Sequence, residues 1–174
     1  MREAKLTDTE TGRVPEGEGW FVLNLRDARW ETTEGGGAWV SFEAEGVPNQ
    51  IGAGAHLLPP GESTGFYHRE ENQEGFLVLS GECRVIVEGE ERMLRQWDFF
   101  HCPSKTGHIM IGGSEQPCVL FMFGNRRPGA AVDYEVEPLA AQYGASVAQA
   151  TSSAKEAYGP DRVYTPVRAP WPED

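Results

Sequence analysis

Between Trp20 and Gly124 the chain is a succession of short apolar runs. Each is stopped by glycine, proline or acidic turn residues, at intervals of roughly 8–12 residues. That rhythm constrains the fold more than any other feature, because helices of ordinary length do not fit between the stops. Ala38–Glu43 alternates, with Trp39, Ser41 and Glu43 on one face and Ala38, Val40 and Phe42 on the other. Glu82–Glu88 alternates in the same way, setting Cys83, Val85 and Val87 opposite Arg84, Ile86 and Glu88. Strands are also expected over Trp20–Leu25, Gln50–Leu58, Gly75–Ser80, Glu91–Arg95, Asp98–Cys102, Gly107–Ile111 and Cys118–Phe123. Glu88-Gly89-Glu90 reads as a tight hairpin, and Pro59-Pro60-Gly61 as a stop. The expectation is an all-β sandwich or barrel.

The flanks read differently. Residues 1–19 are polar and glycine-bearing, and are expected to form an N-terminal arm. Residues 20–124 would be the barrel, and residues 125–174 a C-terminal extension. In the extension, Leu139, Tyr143, Val147 and Ala150 recur at helical spacing, and Gly144 should divide two short helices near 138–143 and 152–158. Four prolines exclude a helix from Pro160–Asp174. Tyr164 and Trp171 suggest instead a strap docked on the barrel or on a partner subunit.

Charge narrows the partners. The 174 residues carry 27 acidic and 15 Lys or Arg side chains, a formal net charge of −12. Such a surface repels phosphate backbones and anionic lipid heads, so neither nucleic acid nor a membrane surface is expected as a partner. No apolar run is long enough to span a bilayer, and no secretory leader is visible. Cys83, Cys102 and Cys118 are odd in number and widely spaced, and read as small buried apolar residues in a reducing, cytoplasmic setting.

Chemistry concentrates in two segments. One runs from Gly61 through Tyr67, His68, Arg69, Glu70, Glu71 and Glu74 into Phe76-Leu-Val-Leu-Ser-Gly81-Glu82. The other reads Trp97-Asp-Phe-Phe-His101-Cys-Pro103-Ser-Lys105-Thr-Gly-His108. Imidazoles and carboxylates on adjacent antiparallel strands can converge inside a barrel and bind a divalent transition metal. His101 alternates with Phe100 and Cys102 and is expected on the opposite face; His56 carries little weight as a site residue.

These segments resemble the two motifs of the cupin superfamily. Glu74 and Gly81 keep the spacing of the first motif, and Pro103 and His108 that of the second. Trp97 and Lys105 stand where that second motif has glycine, and Gly112 where it has asparagine. The resemblance implies a double-stranded β-helix, a jelly-roll barrel, with the N-terminal arm and short C-terminal helices outside it. It implies a metal site and, commonly, a homodimer. Counting strictly from Gly61 puts the first-motif ligand positions on Tyr67 and Arg69, which would line a ligand pocket and, through Arg69, favour an anion. A spacer one residue shorter puts them on His68 and Glu70. The implied metal ligands are then His68, Glu70, Glu74 and His108, suited to Zn, Mn, Fe or Ni. The expected function is binding of a divalent metal and a small polar organic ligand, as in a dioxygenase, isomerase or lyase. The alternative is a non-catalytic small-molecule binding protein or sensor, metal-free or not.

Overall fold

The structure is a computed structural model that describes residues 2–44, 46–113 and 115–171. β1 (Lys5–Thr9) and β2 (Gly12–Glu16) pair as a separate antiparallel hairpin. The next strands are β3 (Trp30–Thr32), β4 (Ala38–Ser41), β5 (Ile51–Leu58), β6 (His68–Glu70) and β7 (Glu74–Ser80). They are followed by β8 (Glu82–Val87), β9 (Glu90–Arg95), β10 (Phe99–Cys102), β11 (His108–Gly112) and β12 (Cys118–Asn125). β13 (Val132–Tyr134), α1 (Pro138–Ala141), α2 (Ala154–Tyr158) and β14 (Thr165–Val167) complete the order. Seven strands form one sheet in the order β10-β7-β12-β5-β4-β3-β14, and five form the other in the order β13-β6-β11-β8-β9. The named strands pair antiparallel with one another, and the architecture is an all-β jelly-roll barrel.

Three apolar clusters hold the sheets. The barrel interior is filled from both sheets by Leu58, Phe76, Val78, Cys83, Val85, Cys102, Met110, Cys118 and Leu120. The three cysteines are free and buried, as expected of small apolar residues. The outer face of the five-stranded sheet buries Ile86, Ile109, Ile111 and Tyr67 under Ala140 and Ala145. This two-sided cover is why every residue of β11 is buried. Trp30, Ala38, Val40 and Ala55 form the third cluster, covered by Leu23 and Leu25 and by Val167, Ala169 and Trp171 of the tail.

Several expectations change here. Trp20–Leu25 is not a strand: Trp20 makes one isolated bridge to Glu3, and the following residues run irregularly while Leu23 and Leu25 pack on the sheet. An apolar run therefore covers a sheet instead of joining it. The first residues are more than an extended arm, since β1 and β2 close on each other. The strap lies on its own barrel: β14 pairs with β3, and Trp171 meets Trp30 edge to face at 5.0 Å. Residues 172–174 of that strap lie outside the described residues.

The turns follow their residues. Glu88 and Gly89 both have positive φ, 48° and 78°, which gives the hairpin twist that two-residue loops need. Gly144 at φ 68° ends the turn after α1. Trp97 and Lys105, the two departures from glycine, also sit in the left-handed region, at φ 75° and 67°. The backbone keeps the glycine conformation although the residues are not glycine, at a cost of about 1–2 kcal/mol each.

Candidate metal centre

Three short elements bring the candidate ligands together. β6 and β11 are antiparallel neighbours, and His68 stands opposite His108 in register. Their ring centroids are 4.9 Å apart. Glu74 opens β7, which pairs with β10 and β12 in the facing sheet. One ligand atom from each of His68, Glu74 and His108 lies within 4.8 Å of the others.

Local bonds orient both imidazoles. His68 Nδ1 is 2.8 Å from the Phe66 carbonyl oxygen, and His108 Nδ1 is 3.0 Å from that of Thr106. A carbonyl only accepts, so each Nδ1 carries the proton and donates. The Nε2 edges are turned toward the shared point, the arrangement by which backbone carbonyls fix metal-binding histidines. Glu74 Oε2 lies 3.2 Å from His108 Nε2 but is buried without a directed hydrogen bond. In the metal-free protein a proton on His108 Nε2 answers this oxygen, and a cation between the three groups would take that proton's place. The donor set therefore fits a divalent transition ion.

Electrostatics support one proton on the site. Burial works against a charge on His108, but its contacts with Cys102 and Glu74 outweigh burial and push its pKa up to about 10. Burial and the neighbouring His108 hold His68 below its ordinary value. Phe76 meets His108 edge to face and Phe100 meets it at a tilt, at 5.2 and 6.0 Å between centroids, and they keep the wall apolar.

Glu70 stands apart from the three. It lines a cavity of about 280 Å³ next to them, together with His56, Trp39, Glu74 and Arg126. Burial and then the charge of Glu74 raise its pKa to about 7. Its carboxylate is not among the atoms that converge.

Tyr67 and Arg69 face the other way, which corrects the strict-spacing reading. Tyr67 is buried under Ala140 and Ala145 on the outside of the sheet. Arg69 donates to Glu88 at 2.5 Å, to Glu135 at 2.9 Å and to the Lys105 carbonyl at 2.8 Å. Strand alternation makes the two readings exclusive: with His68 inside, Tyr67 and Arg69 must be outside. His101 is exposed, as its alternation implies.

Two residues at this end were given little or no weight from sequence. His56 shares the parity of Leu58, whose side chain is in the barrel core, and that parity is the signal which places it inside. Arg126 is the cation at the cavity, where it meets Glu43 at 2.9 Å. Its guanidinium lies over Gly52, where a Cβ would come within 2.4 Å of its Nε. At Gly54 a Cβ would press on the Val40 carbonyl oxygen at 2.5 Å, so that glycine serves close strand packing.

Comparison with known proteins agrees with this fold. Residues 55–124 match the family model described as the cupin domain. The chain is similar to the solved structure of a sugar phosphate isomerase from a cupin superfamily of Silicibacter pomeroyi, with a TM-score of 0.53 and 20% identity. That match covers 57% of this chain and 66% of the other, just under two thirds of its length. It is also similar to KdgF from Halomonas sp., with a TM-score of 0.52 and 25% identity over 64% of this chain and 97% of that one. No curated protein matches the sequence.

Proposed function

We propose that this chain, whose residues 55–124 match the cupin domain model, is a cupin that binds a divalent metal through His68, Glu74 and His108 and presents it to a small polar organic ligand. The convergence of three ligand atoms within 4.8 Å carries this reading. A bound ion would supply Lewis-acid charge to a carbonyl or hydroxyl oxygen of the ligand. The backbone carbonyls of Phe66 and Thr106 keep both imidazoles in the ligating orientation. Phe76 and Phe100 exclude water from the inner side.

Within that reading, isomerase or lyase chemistry is favoured over dioxygenase chemistry. Both isomerases and lyases need a general acid or base that moves a proton, a role open to Glu70, which lines the ligand cavity without belonging to the converging group. Metal-loaded protein incubated in D2O with keto-enol and hydroxy-acid candidates tests this. Deuterium incorporated next to a carbonyl without oxygen uptake supports it, and so does its loss in Glu70→Gln with metal retained. Oxygen uptake without deuterium incorporation would replace it by the dioxygenase reading.

A homodimer in a reducing, cytoplasmic setting completes the proposal. The three thiols are free and buried. Both terminal segments pack on their own barrel, so dimerisation rests instead on the exposed aromatic pair Phe99 and Phe123, stacked 6.1 Å apart beside the edge strand β10. Among the described residues no helix is long and apolar enough to cross a membrane.

A further inference from the structure

His56 sits in the middle of β5, between Trp39 on β4 and Leu120 on β12. Its ring stacks on that of Trp39 with centroids 6.2 Å apart and an interplanar angle of 24°. Nδ1 is enclosed and has no hydrogen-bond partner among the described residues. An enclosed N–H without an acceptor is costlier than an enclosed lone pair, so the proton belongs on Nε2, on the part of the ring that borders the cavity. Burial holds the ring neutral, with its pKa down to about 4. Packing alone would be served better by phenylalanine.

The cavity has the other parts of a recognition site. Its volume of about 280 Å³ is at the low end of small-molecule pockets, roughly 300 Å³ and upward, and suits one monosaccharide-sized molecule. Trp39 offers an aromatic wall. Arg126 reaches the cavity over Gly52 and, among the described residues, pairs with Glu43 on an exposed side. A guanidinium grips a carboxylate or phosphate through two parallel hydrogen bonds.

We propose that this cavity receives a small hydroxylated anion: His56 Nε2 donates to a ligand oxygen, Trp39 covers the ligand's apolar face, and Arg126 turns from Glu43 to the acid group. The proposal deepens the function given above and rests on it for the ion beside the cavity.

The test is calorimetric titration of the full chain, with and without Mn2+, using glucuronate, glucose 6-phosphate and glucose, with metal content measured in each sample. At least one anion should bind ten times more tightly than glucose, and whichever does so identifies the acid group. Arg126→Met should erase that preference. His56→Phe should weaken the anion about tenfold without lowering the melting temperature, whereas a merely structural histidine would lose stability. If His56→Phe does not fold, the packing premise fails and the proposal is overturned. Stoichiometric metal with neither anion preferred over glucose overturns this proposal and leaves the metal reading intact. Arg126-dependent anion binding in a protein that takes up no metal supports the subsite and overturns the metal reading.

Discussion

His68 and His108 face each other across β6 and β11 with ring centroids 4.9 Å apart, each tied through Nδ1 to the carbonyl oxygen two residues before it. The pair shares a half-buried carboxylate, Glu74, but the two rings do not share charge equally. His108 holds its proton to about pH 10, and His68 gives its proton up early.

Metal binding should therefore release a proton from His108. An ion takes the Nε2 that a proton occupies in the metal-free protein. Apparent affinity should fall about tenfold per unit as pH is lowered from 8 to 6, one proton being displaced per ion. Calorimetry in buffers of different ionisation enthalpy counts that proton, and affinity independent of pH would contradict it.

Glu70 gives a stability effect of opposite sense to an ordinary carboxylate. Its folded pKa of about 7 lies above the ordinary carboxyl value of 4.5, so the folded state keeps a proton that the unfolded state has lost between those values. The stability this contributes is present below pH 4.5 and lost as pH rises to 7. Metal-free Glu70→Gln should be more stable than wild type at pH 8, by about 1–2 kcal/mol once solvent screening of this half-buried group is allowed for, with the gap closing at pH 4. Added metal should shrink it, because a neighbouring cation favours the carboxylate. Urea unfolding at the two pH values measures it.

His56 works in the other direction. Its folded pKa of about 4 lies below the ordinary 6.5. The unfolded state binds the extra proton, so stability falls as pH drops from 6.5 to 4, by up to about 3 kcal/mol. His56→Phe should be less acid-sensitive than wild type over that window, as followed by melting temperature.

Lys105 holds φ at 67° with an exposed side chain whose ion pair to Glu71, at 4.0 Å, contributes little. Lys105→Gly should keep the turn and stabilise the protein by about 0.5–1 kcal/mol, the relief of strain exceeding the added freedom of the unfolded chain. A lower denaturation midpoint would show that Lys105 carries an interaction the strain pays for.

Much of the barrel was legible because its signals are local. Alternation over Ala38–Ser41 and the Glu88-Gly89 turn need only neighbouring residues. Trp20–Leu25 misled because apolar content does not distinguish a strand from a segment lying over one. The site was legible in residue type and uncertain by one position. Whether His68 or Tyr67 points inward is decided by Tyr67 docking beneath Ala140 and Ala145, more than seventy positions away in the chain. His56 and Arg126 were harder still. Their significance depends on lateral neighbours, Trp39 and Gly52, that strand pairing alone brings to one cavity.

Metal content of the full chain tests the central claim most directly. After incubation with Zn, Mn, Fe, Ni or Co and removal of excess, elemental analysis should find about one ion per chain for at least one of them. The double variant Glu74→Ala/His108→Ala should hold none while its circular dichroism remains that of a β-barrel. A folded wild-type protein that retains none of these ions, or a double variant that retains a full equivalent, would contradict the assignment of His68, Glu74 and His108 as a metal centre.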